Sequence, residues 1–221
     1  MIVILGIPAW RLAPSPSPAG RACGIALAAA ARGARVELVG RIGEDAAGEA
    51  LVVALSRAGI GHAALLRDPA RPTPVLAPSA ARDDDESPFA EPLAPAAPVA
   101  AGAPRLEGAD IDLAIRYLEP SGVLVATDEV PADALGSALR AAVYAGLRPV
   151  VLVAPSDLAR TLPPGLPEDA TVLAAPDADG DAGAFEALVG AYAASLDAGA
   201  SPAEAFEAAQ GATGWEPAVA D

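Results

Sequence analysis

Short continuous apolar runs alternate along the chain with segments whose apolar positions recur every three or four residues. The first pattern predicts strands buried on both faces, the second helices with one buried face. IVILG (2–6) opens the chain as such a strand, an Ala-rich helix spans 20–31, and Gly33 stops it. VELVG (36–40) predicts the next strand. Asp45 then caps a helix that runs to Ala58 and ends on Gly59 at the position that favours a left-handed residue. HAALLR (62–67) and TPVLA (73–77) predict two short strands, the second limited by its prolines.

After Pro104 the alternation resumes. A helix is predicted over 108–118, a strand at VLVAT (123–127), and a helix over 131–145 with Pro131 in its first turn and Gly146 at its end. PVVLVA (149–154) and TVLAA (171–175) read as strands. Phe185, Leu188, Val189, Tyr192 and Leu196 then fall at i, i+3, i+4, i+7 and i+11, one stripe of a core-facing helix. Ser201-Pro202-Ala203-Glu204 is a capping box that starts a last helix to about Ala212. Strands alternating with helices predict an α/β fold: a central, mostly parallel sheet flanked by helices in three layers, as one domain over residues 1–221. Between Pro78 and Pro104 the pattern breaks. DDDE (83–86) and repeated Pro-Ala make 78–105 a lid-like or irregular segment.

Composition narrows the chemistry. A net charge of −15 opposes nucleic acid and anionic membrane as partners. No stretch approaches the ~18 uninterrupted apolar residues of a membrane span, and the N-terminus reads as a buried strand, not a leader. One cysteine, Cys23, excludes an internal disulfide and fits a reducing cytoplasm. All 14 basic residues are Arg, and the chain contains neither Lys nor Asn. No phosphate-binding lysine or Schiff base can therefore form, and the single His62 excludes a multi-histidine metal centre. Asp83, Asp84 and Asp85 could gather a cation, but a charge run in a proline-rich loop reads as solvated, so no metal ligands are assigned. His62 reads as structural or solvent-facing and Cys23 as a small buried side chain.

Three stretches in order carry a family resemblance. VELVGRIGEDAAGEALVVALSRAGIGHAALLRDPARPTPVLA (36–77), with its G-R-I-G-E-D core from Gly40, resembles the second βαβ unit of the ribokinase (PfkB) family of sugar and nucleoside kinases. TDEVPADALGSALRAAVYAGLRPVVLVAP (127–155) resembles that family's later unit, in which an acidic residue precedes a proline-started helix. DADGDAGAF (177–185) aligns without gaps on its D-T-T-G-A-G-D-A-F signature. The resemblance implies a ribokinase-like fold in reduced form, ATP or ADP with magnesium as cofactor, a sugar, nucleoside or nucleotide as ligand, and a homodimer. It places phosphate binding at Gly180, Asp181, Ala182 and Gly183, and substrate contacts at Gly20, Gly24, Gly43, Asp128 and Glu129. Trp10 joins them if it stacks on a ring; otherwise it packs at the domain edge.

The same alignment exposes departures. Gly183 stands where the family has its catalytic Asp and offers no base. Asp181 is two residues away, about 200° around a helix, and serves as a cap in preference to a substitute base. Gly24 replaces the Asn that binds sugar hydroxyls. The family's N-x-x-E element, which helps place magnesium, has no Asn here, and Pro155–Ala170 is short for the nucleotide side. A general base contributes about 10²–10⁴ in rate. The expectation is a degenerate member, non-catalytic or weakly active, that keeps a ligand cleft. The alternatives are a structural or regulatory protein whose cleft has closed, and a working kinase with a displaced base.

Overall fold

The computed structural model describes residues 1–12, 15–76, 102–118, 122–154, 165–176 and 182–215. Its main sheet contains β1 (Ile2–Leu5), β4 (Val36–Gly43), β5 (Leu65–Asp68), β7 (Val123–Ala126), β8 (Arg148–Val153) and β9 (Thr171–Ala174). They lie in the order β5-β4-β1-β7-β8-β9, and all five pairings are parallel. Ile2 and Ile4, Val123 and Val125, Val150 and Leu152 point to one face, where α1 (Arg21–Ala30), α2 (Ala46–Arg57), α5 (Ala182–Asp197) and α6 (Pro202–Thr213) cover them. Val3 and Leu5, Leu124 and Ala126, Val151 and Val153 point to the other, under α3 (Gly108–Tyr117) and α4 (Ala132–Ala145). Burial on both faces is why these strands read as continuous apolar runs. The result is the three-layer α/β architecture expected from the sequence.

Local signals act as expected at most helix ends. Asp45 Oδ1 accepts from the Gly48 N–H at 2.8 Å, and Gly59 and Gly146 end their helices with φ of 72° and 68°. Ser201 and Glu204 form the reciprocal capping box. Phe185, Leu188, Val189, Tyr192 and Leu196 are all buried.

Four local expectations need correction. His62–Ala64 are outside β5, which starts at Leu65, because a single bridge between Gly61 and Glu37 holds the preceding turn. Thr73 and Pro74 precede β6 (Val75–Leu76). The strand beginning at Val36 runs to Gly43, past Gly40, because Gly40–Gly43 pair with Leu65–Asp68. Pro131 is the cap of α4 and Ala132 its first helical residue.

The sequence pattern also missed a second sheet. β2 (Ala9–Arg11) pairs antiparallel with β3 (Ser17–Ala19) and parallel with β6, in the order β3-β2-β6. Strands of two or three residues, one interrupted by Pro18, are too short to show a period. Most of the lid-like segment, residues 77–101, lies outside the described residues. Among the described residues no helix is long and apolar enough to cross a membrane.

Candidate functional site

Chain order defines the place to look. After β1 the chain builds outward through β4 and β5, then returns to the other side of β1 to build β7, β8 and β9. The carboxyl ends of β1 and its neighbours therefore border a topological switch point, where open parallel sheets bind ligands.

Four segments meet there. β1 ends at Leu5 and passes through Gly6 and Ile7. β7 ends at Ala126 and delivers Thr127, Asp128 and Glu129. The chain enters α1 through Gly20, whose φ of 83° is the left-handed conformation that suits glycine. A Cβ at Gly20 would fall 2.9 Å from the Ile7 carbonyl oxygen, so glycine also lets the start of α1 approach β1. The fourth segment is the first turn and a half of α5.

Arg21 ties these segments together. Its Nε lies 3.0 Å from Asp128 Oδ1, and its Nη2 donates to the Pro176 carbonyl at 3.4 Å. Its guanidinium also lies 5.7 Å from the centre of the Phe185 ring, a cation–π distance. Glu129 and Glu186 are the two carboxyls whose ionisation this arrangement alters most. Burial, reinforced by the Asp128 charge, pushes the Glu129 carboxyl up to about 7, although Arg21 and the Ile7 N–H oppose it. Burial pushes Glu186 up to about 7 as well, against the pull of Arg21 and Arg11, with the Glu129 charge adding to the rise. Arg21 Nη1, Glu129 Oε2 and Thr127 Oγ1 are buried without a hydrogen-bond partner among the described residues. Polar capacity at this sheet end is thus left unused by the described residues.

Glu129 faces a cleft of about 480 Å³ that Ile7, Arg71, Leu106 and Pro131 also line. Cys23 lies beside this cluster but is fully buried, and desolvation pushes its thiol up to about 12. A thiol held protonated in this way is a packing group, not a nucleophile.

The residues singled out from the sequence are distributed unevenly around this place. Gly20, Gly24, Asp128 and Glu129 converge on it, and α5 reaches it through Phe185 and Glu186. Asp128 and Glu129 do not cap α4, whose cap is Pro131 with no side-chain hydrogen bond. Gly43 ends β4, and its N–H is taken by Thr73 Oγ1 at 2.9 Å. Trp10 is buried in the middle strand of the small sheet, paired with Pro18 and Val75, and joins the larger core cluster. Gly183 is exposed in the first turn of α5. Gly180 and Asp181 lie outside the described residues, as do Asp83, Asp84 and Asp85.

Sequence reasoning missed Arg21 and Glu186. A signal was present for both. Arg21 is the one charged residue of α1, and Glu186 is the one charged residue of α5 before its terminal Asp197. A lone charge in a helix that is otherwise apolar and small must sit at an edge or serve a specific partner.

Comparison with solved structures places this arrangement in a known fold. The chain superposes on ribokinase from Arabidopsis thaliana complexed with ribose and ATP with a TM-score of 0.64 and 15% identity, covering 96% of this chain and 91% of that one. A carbohydrate kinase from Agrobacterium tumefaciens gives 0.63 and 17% identity over 96% and 89%. A PfkB protein from Polaromonas sp. JS666 gives 0.63 and 16% identity over 94% and 92%. No protein-family model and no curated protein sequence matches the chain. Its six-stranded parallel sheet and its helical layers are those of the ribokinase-like fold.

Proposed function

We propose that the protein binds a small hydroxylated ligand, a sugar or nucleoside, in the cleft beyond β1 and β7, and carries out little or no phosphotransfer. One observation carries this reading. The cleft end of the sheet keeps Arg21, Asp128, Glu129 and Glu186 gathered, while the first turn of α5 presents Gly183 where the resembled signature has its base. Binding needs the gathered polar groups; transfer also needs the base, which contributes about 10²–10⁴ in rate.

The described residues meet part of what the cofactor implied by the fold needs: Arg71 and Arg105 line the cleft and are cations that suit a phosphate. ATP with magnesium calls for a metal cage and phosphate-neutralising cations. Among the described residues no group of three or more His, Cys, Asp or Glu is placed to hold a metal ion, and the chain has no Lys. The N-terminus of α5 carries the positive end of its helix dipole, which suits a phosphate. No step of the proposed function runs through magnesium.

A second reading, an ATP-dependent sugar or nucleoside kinase with a displaced base, is favoured by Glu129. Its carboxyl lines the cleft and titrates near 7, where a general base is effective. The base weighed from the sequence, Asp181, lies outside the described residues.

Thermal denaturation with a panel of sugars, nucleosides, ADP and ATP separates the readings. A sugar or nucleoside that raises the melting temperature supports binding, since a ligand of the native state stabilises it. No shift with any of them sinks it and favours a structural or regulatory role. ADP release that Glu129→Gln abolishes would establish the kinase reading instead. In the proposed reading wild type releases little or no ADP, and a Gly183→Asp variant that gains release would show that the cleft is intact and only the base was missing.

A further inference from the structure

We propose that Glu186 is the residue that grips the ligand's hydroxyl groups in this cleft, its carboxyl standing in the space that Gly24 leaves empty. This rests on the cleft binding a hydroxylated ligand, as proposed above.

The case begins with how α1 and α5 meet. The two helices run side by side, with Arg21 against Phe185, Gly24 against Glu186 and Ala28 against Gly190. Gly24 and Ala28 are one turn apart on α1, as are Glu186 and Gly190 on α5, so the four residues form one seam. At the deep end no side chain fits at 190, where a Cβ would fall 2.9 Å from the Ala29 nitrogen and the Ile25 carbonyl oxygen. At the cleft end the glycine is on the other helix. A Cβ on Gly24 would fall within the Glu186 carboxylate. The two positions therefore compete: a side chain at 24 takes the space in which the Glu186 carboxylate now stands and requires it to move.

The resemblance gives position 24 an Asn whose amide meets sugar hydroxyls. In this chain the amide is gone, and a carboxylate from the facing helix stands in its place. The exchange is chemically competent. A carboxylate accepts hydrogen bonds at both oxygens, and a charged acceptor binds a hydroxyl more strongly than a neutral amide does. The group is also reachable. Glu186 is only partly buried, and the charges that face it are Arg21 from α1, Arg11 from β2 and Glu129 from the end of β7. Helical side chains lean toward the N-terminus, so the Glu186 carboxyl is directed toward the start of α5, on the side of Glu129, which lines the cleft.

Three variants and two measurements test this. D-ribose, D-fructose and adenosine are titrated by calorimetry into wild type, Glu186→Gln and Glu186→Ala. The expected result is a probe that binds wild type, binds Glu186→Ala about tenfold or more weakly, and binds Glu186→Gln with intermediate affinity. Unchanged affinity in Glu186→Ala overturns the inference while leaving the binding cleft in place. Wild type that binds none of the probes overturns both. Without ligand, Gly24→Asn lowers the melting temperature in wild type but is tolerated in the Glu186→Ala background. If it is equally damaging in both backgrounds, Glu186 does not fill that space, and the inference fails on geometry alone.

Discussion

Gly190 of α5 lies so close to Ala28 of α1 that a Cβ at 190 would fall 2.6 Å from the Ala28 methyl. The neighbours on the other side are backbone atoms of Ile25 and Ala29, which cannot swing away as a side-chain end could. Gly190→Ala therefore has to push two helices apart. Overpacking of this kind costs about 1–3 kcal/mol, more than the helix-propensity gain of about 1 kcal/mol from replacing glycine. Urea denaturation should show a lower midpoint for Gly190→Ala. A midpoint at or above wild type would mean that the helices are not locked at this crossing.

Arg41 and Asp110 join β4 to α3. Arg41 Nε and Nη2 each donate to one oxygen of the Asp110 carboxylate at 2.8 Å, and Asp110 also accepts from the Glu107 N–H at 2.8 Å. Burial alone would raise the Asp110 carboxyl, but the guanidinium and the Glu107 N–H outweigh it and hold the carboxyl below its ordinary range. Arg41→Ala should cost about 1.5–3 kcal/mol, since it strands a charged acceptor that is almost buried. Denaturation at pH 7 compares the two proteins, and a loss below about 0.5 kcal/mol would assign this pair the weight of a surface ion pair.

The carboxyls of the chain pull stability in opposite directions with pH. Asp110 and Asp45 are depressed in the folded protein: burial would raise Asp45, but the Gly48 and Thr73 N–H groups and the Thr73 hydroxyl overcome it. Their contribution is present above the unfolded carboxyl range, about 4, and is lost as pH falls through the folded value. Glu129 and Glu186 are raised to about 7 from 4.5. Their contribution is present below the unfolded value and is lost as pH rises toward and through 7. The melting temperature should therefore peak near pH 4.5, decline as pH rises to about 7 and level off above it. Removing both raised groups, as Glu129→Gln with Glu186→Gln, should flatten the decline between pH 5 and 8. A wild-type profile already flat there would show these carboxyls to be ordinary.

Asp45 holds two segments at once. Its Oδ1 caps α2 at Gly48, and its Oδ2 accepts from the Thr73 N–H at 2.7 Å. Thr73 in turn receives the Gly43 N–H, so one carboxylate fixes the end of β4, the start of α2 and the approach to β6. Loss of a cap alone costs about 0.5–2 kcal/mol. Asp45→Ala should reach the upper part of that range, because it also frees the Thr73 N–H. Asp45→Asn should recover part of the loss. Equal stability of Asp45→Ala and wild type in a denaturation series would contradict the double role.

Much of the fold was legible along the chain because its signals are local. Apolar runs such as IVIL (2–5) and VLVA (123–126) mark strands covered on both sides. Asp45, Ser201, Gly59 and Gly146 set helix ends through bonds within a few residues of themselves. The structure brings Gly20, Gly24, Asp128 and Glu129 to one end of the sheet. Of the small sheet only Val75–Leu76 was legible, inside the TPVLA run; Ala9–Arg11 and Ser17–Ala19 carry no period, and Ala9–Arg11 meets Val75–Leu76 across about sixty-five residues of chain.

The sequence by itself determined the alternation of strands and helices, the absence of Lys and Asn, and the missing side chain at Gly183. Only the tertiary structure decided which groups stand where those side chains would have been. Arg21 met Asp128 across more than a hundred residues, and Glu186 came to cover Gly24 because two helices cross at small residues. A helix's apolar stripe fixes which side it buries, but not its register against a neighbour. That register is set by close packing of Gly190 on Ala28, and it is what set a lone glutamate against Gly24.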